Sequence, residues 1–131
     1  MTATDQKHVY LKDLHFEHRL WMNELNFAKD EMISLTKRLE EVVSKNTDKE
    51  FEYMADSLQN RLIRQKEVVG ELRHAIKTHE SSLAHYAEDH PIAIDHVYFA
   101  DHQGLRNQMA RFATLYAPFK AEFMNFIAKW M

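Results

Sequence analysis

The chain has 131 residues, a length typical of one domain and sufficient to bury a single hydrophobic core. Its formal net charge of −3 argues against nonspecific nucleic-acid binding, because a basic surface supplies most of the affinity in such complexes. The absence of cysteine excludes disulfides, thiolate metal sites, iron–sulfur clusters and cysteine catalysis.

The N-terminal sequence MTATDQKHVY lacks the basic and apolar regions of a secretory signal. No apolar run approaches the roughly 20 residues that a membrane-spanning helix requires. We therefore expect a cytoplasmic protein that does not associate with membranes. Only two glycines and two prolines interrupt the chain, and so few breakers predict few turns and long helices.

The first predicted helix, over about residues 5–44, carries a row of core-facing side chains spaced alternately three and four apart. This spacing places a row of residues on one face of a helix. His18 is its one polar member. The row comprises Leu11, Leu14, His18, Trp21, Leu25, Ala28, Met32, Leu35, Leu39 and Val42.

Two further helices are predicted, over about residues 48–89 and 92–130. Thr47 and Glu50 fit a capping box before the second helix, and Pro91 ends it because proline disfavours helical geometry in its predecessor. The inward row of the second helix comprises Phe51, Met54, Leu58, Leu62, Gln65, Val69, Leu72, Ile76, His79, Leu83, Tyr86 and His90. That of the third comprises Ile94, Tyr98, Asp101, Leu105, Gln108, Phe112, Leu115, Phe119 and Phe126, widened by Met109, Tyr116, Phe123 and Trp130.

Long helices joined by short turns predict an all-α fold, an elongated antiparallel three-helix bundle running up, down and up. We expect residues 1–131 to form one helical-bundle domain. The alternative fold is a helical hairpin whose third helix packs onto a second chain.

Six of the nine histidines lie between His74 and His102. Antiparallel pairing about the predicted turns brings His18, His79 and Asp101 into neighbouring layers at one end of the bundle, each on an inward row. Three further polar residues fall in or near these layers: His15, His102 and Gln108. Polar groups from all three helices are therefore predicted to converge on one part of the core.

Two interpretations of this convergence stay open, since buried polar groups are costly unless each has a partner. One is a hydrogen-bonded network of histidine, aspartate and glutamine. The other is a site for a divalent transition metal such as zinc or iron, with His18, His79 and Asp101 as ligands. Carboxylates that could orient the rings are Glu17, Glu24 and Glu80. The predicted outward histidines His74, His85 and His96 are most simply solvated, although they could also sense pH.

The first half of the first helix carries a second apolar row: Val9, Phe16, Leu20 and Phe27. A helix with two apolar faces needs two partners, so we expect a homodimer or another helical protein partner. The sequence thus favours a non-catalytic interaction or scaffold protein that self-associates through helix 1. The alternative is a metal-binding bundle with redox- or oxygen-linked chemistry. No nucleophile elbow or phosphate-binding loop suggests an enzyme.

Overall fold

A computed structural model describes residues 11–88 and 96–131 as three α-helices. These are α1 (Leu11–Lys45), α2 (Lys49–Ala87) and α3 (His96–Trp130). This part of the chain is 95% helical and contains no strand, and each helix contacts the other two. The predicted antiparallel three-helix bundle is therefore confirmed. None of the described helices is both long and apolar enough to cross a membrane.

The turn between α1 and α2 is closed by Asp48. Its Oδ1 accepts hydrogen bonds from the amides of Glu50 at 2.8 Å and Phe51 at 3.1 Å. The predicted capping residue, Thr47, is therefore wrong by one position, because α2 begins at Lys49 and its free amides lie within reach of the aspartate.

The core row of α1 is confirmed at every position, from Leu11 to Val42. The α2 row requires one correction: Ala55 is buried, whereas Met54 is 37% exposed. With Ala55 in the row, the spacing from Phe51 to Leu58 becomes four and three. The alternation is then continuous through the point where the predicted row had a skip.

The α3 row is displaced by one residue at three of its predicted positions. Asp101, Gln108 and Leu115 are exposed, and the residue that follows each of them is buried. The buried row comprises His102, Leu105, Met109, Phe112, Tyr116, Phe119, Phe123 and Phe126. His102 takes the core position predicted for Asp101, and Met109 and Tyr116, already predicted to widen the row, are buried beside the exposed Gln108 and Leu115. At the first two of these positions the buried side chain removes more apolar surface from water than aspartate or glutamine can. Predictions for Val9, His90, Ile94 and the side chains of His96 and Tyr98 fall outside the described part of the chain.

The chain packs as two compact units, each containing segments of all three helices. We call the described parts of Met1–Leu25 and Glu71–Ala110 the histidine unit. Asn26–Gly70 and Arg111–Met131 form the aromatic unit. The prediction of one domain stays a prediction.

The aromatic unit is held by stacked rings and one bidentate ion pair. Phe51 stacks on Phe126 with 5.3 Å between ring centroids, and Trp130 lies 5.1 Å from Phe51. Arg61 donates to both carboxylate oxygens of Glu122, at 3.0 and 2.7 Å. The stacked rings give this unit a conventional apolar core, unlike the core of the histidine unit, and the ion pair lies on its surface.

Candidate metal centre

Three buried histidines, one from each helix, meet in the core of the histidine unit. His18 of α1 is 3% exposed, His79 of α2 is 7% exposed and His102 of α3 is fully buried. Each occupies a position that an apolar residue holds elsewhere in its helix row. One nitrogen from each ring lies within 4.8 Å of the other two. We call these residues the histidine triad.

The rings of the triad are packed against one another and against Trp21. Nε2 of His18 lies 3.2 Å from Nδ1 of His79. The ring centroid of His18 lies 5.0 Å from that of His102, and the centroids of His79 and His102 are 5.6 Å apart. Trp21 stacks on His102 at 4.8 Å. Two imidazole ligands of one tetrahedral zinc ion would have their nitrogens about 3.3 Å apart, close to the His18–His79 separation.

A carboxylate fixes the orientation of His102. Its Nε2 donates to Oε1 of Glu17 at 2.5 Å, and Arg106 binds both oxygens of the same carboxylate, at 2.7 and 3.1 Å. In neutral His102 the proton therefore sits on Nε2, and Nδ1 carries a lone pair. That Nδ1 is buried and has no hydrogen-bond partner among the residues that the structure describes. An unsatisfied buried polar atom costs about 1–3 kcal/mol, and this one is also a potential metal ligand.

A second carboxylate, Glu80, fixes the orientation of His18. Its Oε2 accepts a hydrogen bond from Nδ1 of His18, and its Oε1 accepts one from Nδ1 of His15. His15 is half-buried, so Glu80 links the buried triad to the surface of the unit. The bond from Nδ1 leaves the lone pair of His18 on Nε2, the nitrogen that approaches His79. Carboxylates placed behind imidazoles in this way are common around protein metal ions.

The electrostatics favour a neutral His102 ring and ionised carboxylates at Glu17 and Glu80. Burial lowers the pKa of His102, and its hydrogen bond to Glu17 offsets this only in part. For Glu17, burial raises the pKa of the carboxyl, but hydrogen bonds from Arg106 and His102 outweigh burial and leave the pKa below its ordinary value. The pKa of Glu80 is lowered in the same way, since hydrogen bonds from His18 and His15 outweigh its burial. Neutral imidazole is the protonation state that binds metals.

The structure brings together some of the residues that the sequence singled out and separates others. His18 and His79 lie side by side, and His102, expected only nearby, is the third member of the triad. Asp101 is exposed, which corrects its predicted inward position. Gln108 is exposed for the same reason, the one-residue displacement of the α3 row. His15 joins the site through Glu80.

The signal for His102 was present in the sequence. From His102 the spacing to Leu105 and Met109 alternates three and four, and it continues along the aromatic residues of α3. The competing row through Asp101 and Gln108 has the same periodicity but places polar residues in the core. Among the carboxylates, Glu17 and Glu80 contact imidazoles, as the hypothesis of orienting carboxylates required, whereas Glu24 is exposed.

A hydrogen-bonded network alone accounts for part of this arrangement. His79 can donate from Nδ1 to Nε2 of His18, but no residue in the described part of the chain donates to the buried Nδ1 of His102. A metal ion would occupy the lone pairs of all three rings. Scans against family models, curated proteins and solved structures found no match.

Proposed function

We propose that the protein binds one divalent transition-metal ion through His18, His79 and His102. The observation that carries this proposal is the buried triad, in which one nitrogen of each ring lies within 4.8 Å of the other two. The His102 ring also carries a buried Nδ1 to which no described residue donates. The orienting carboxylates Glu17 and Glu80 support it. They direct the lone pair of His18 to Nε2 and that of His102 to Nδ1, so the tautomers of these two rings are set before a metal binds.

Zinc and iron(II) are the ions that we propose first. Neutral imidazole suits zinc, copper, iron and nickel, so the ligand type defines a class of ions and not a single element. The carboxylates behind two of the rings increase their donor strength and supply negative charge next to the cation. Redox- or oxygen-linked chemistry, a cytoplasmic location and the lack of catalysis stay predictions from the sequence.

Metal content measured on native protein tests the proposal. Protein purified without a histidine tag should contain about one equivalent of metal per chain, and adding zinc to chelator-treated protein should raise its melting temperature by mass action. His79→Leu should abolish both effects. His74→Leu is the matched control, because His74 is an exposed histidine on the same helix. Metal content near zero in native protein, with no change in melting on adding zinc or iron(II), would contradict the proposal.

Trp21 offers an internal reporter of binding. It stacks on His102 and lies 5.6 Å from the His18 ring, whereas Trp130 packs on Phe51 in the aromatic unit. In Trp130→Phe protein, titration with paramagnetic copper(II) should quench the remaining fluorescence with a saturable one-to-one curve. In Trp21→Phe protein, the same titration should quench much less. Equal quenching of the two variants would show that copper binds elsewhere.

We propose self-association through α1 as a second function, in keeping with a helical interaction or scaffold protein. Phe16 and Leu20 are 60% and 50% exposed on the histidine unit, and Phe27 on the same helix is 66% exposed. Large apolar side chains exposed at helical spacing favour a homodimer or another helical partner. Sedimentation velocity over a range of protein concentrations tests this proposal, with the variants described in the Discussion.

A further inference from the structure

A cavity of about 440 Å³ opens on the surface of the histidine unit, between residues of α1 and α2. Ile76 and His18 line it and are 1% and 3% exposed, so the cavity reaches down to the core. Met22 and Ala84 add further apolar surface. This volume falls within the range of small-molecule binding sites, which are mostly apolar and carry a few polar groups.

The polar groups of the cavity give it a net positive charge. Arg19 of α1 and Lys77 of α2 both line it and are exposed, and neither forms an ion pair with a carboxylate in the described part of the chain. Glu80 is the one carboxylate in the lining, and its two oxygens accept hydrogen bonds from His15 and His18. Two cations therefore face one anion whose hydrogen-bonding positions are already engaged.

We propose that this cavity binds a small amphipathic organic monoanion, such as a medium-chain carboxylate. The carboxylate would lie between Arg19 and Lys77, and the hydrocarbon part would cover Met22, Ile76 and Ala84. Charge-assisted hydrogen bonds from the two cations supply recognition of the anion, and burial of the hydrocarbon supplies affinity. The site does not require a bound metal, although His18 is common to the cavity wall and the histidine triad.

Three probes of the same length but different charge test this inference on the full-length protein. Calorimetric titration should show one-to-one binding of octanoate, binding of octan-1-ol that is about tenfold weaker, and no binding of octylammonium. Arg19→Gln and Lys77→Gln should each weaken octanoate binding by roughly three- to tenfold. Lys12→Gln is the matched control, since Lys12 is exposed on α1 and does not line the cavity.

A filled cavity provides a second, independent test. Ala84→Trp should abolish octanoate binding, whereas Ser82→Trp, at an exposed position outside the lining, should leave it unchanged. His102→Leu protein should still bind octanoate, which separates this site from metal binding. The inference is overturned if octan-1-ol binds as tightly as octanoate, if Lys12→Gln weakens binding as much as Arg19→Gln, or if the two tryptophan variants behave alike.

Discussion

Glu17 accepts a hydrogen bond from Nε2 of His102 at 2.5 Å and so leaves Nδ1 as the ring nitrogen with the lone pair. This one contact has two opposite effects. It stabilises a fully buried imidazole in a single neutral tautomer, and it leaves a buried acceptor to which no described side chain or amide donates. We therefore expect substitution of His102 by an apolar residue to raise the stability of the metal-free protein and to lower its affinity for metal.

Substitution of His102 should separate these two effects. In His102→Leu, the orphaned acceptor is removed and Glu17 keeps its two hydrogen bonds from Arg106. We expect the free energy of unfolding of metal-free protein to rise by about 1 kcal/mol, measured by urea denaturation. The zinc-induced rise in melting temperature should disappear. If His102→Leu protein keeps the zinc-induced rise in melting temperature, His102 is not a ligand of the metal.

Arg106 should act on the metal only through Glu17. We expect Glu17→Gln to weaken zinc binding by roughly 10- to 100-fold, because the loss of an orienting carboxylate has effects of this size. Arg106→Gln should weaken zinc binding less, and the double variant should bind zinc about as tightly as Glu17→Gln alone. Arg61→Gln is the control, since it breaks a similar bidentate ion pair in the aromatic unit. If the losses in zinc affinity caused by Glu17→Gln and Arg106→Gln add in the double variant, Arg106 acts independently of Glu17.

The metal-free protein should lose stability as the pH falls below the ordinary histidine value of 6.5. Burial lowers the pKa of His102 in the folded state, so between the folded and unfolded pKa values the unfolded chain holds more protons. Acid therefore favours unfolding in this window. A second loss should begin below pH 4.5, because the pKa values of Glu17 and Glu80 are also lowered by folding. Unfolding free energies measured at intervals from pH 7 to pH 4 test both steps, and His102→Leu should flatten the first.

Self-association should depend on the exposed apolar residues of α1. Phe16→Glu or Leu20→Glu should convert a concentration-dependent dimer to monomer in sedimentation velocity experiments, because a charge would be buried without a partner. Ile33→Glu is the matched control, since Ile33 is 45% exposed on the same helix but lies outside the predicted second row. Wild-type protein that sediments as a monomer at every concentration would end this proposal.

The fold was predictable because spacing alone determines which residues of a long helix can be buried together. On α1 the alternation of three and four residues has one solution, and every position in it is buried. On α3 two solutions overlap, because Leu105, Phe112, Phe119 and Phe126 belong to both. The rows diverge only at intervening positions, where the structure buries His102, Met109 and Tyr116 and exposes Asp101, Gln108 and Leu115. Apolar burial favours Met109 over Gln108, but it does not distinguish Tyr116 from Leu115.

The candidate site was predictable in location but not in composition. Antiparallel pairing about the predicted turns placed His18 and His79 in neighbouring layers, and in the structure a ring nitrogen of His18 lies 3.2 Å from one of His79. Pairing of this kind identifies the layer, but it cannot determine which side chains touch. The spacing did not decide between Asp101 and His102, because two core rows are possible on α3. The shared use of Glu80 by His15 and His18 depends on side-chain rotamers, about which sequence spacing carries no information.

The histidine triad occupies one core position on each helix, and this separates what the chain needs for folding from what it needs for binding. Converting His18, His79 and His102 to leucine would make each of these rows apolar at that layer. Conversely, three histidines placed at one layer of an ordinary bundle, with a glutamate behind two of them, would reproduce the site. Such a layer could arise by a few substitutions and be lost by one. Related bundles that differ at this layer alone should therefore share the fold but lack metal binding.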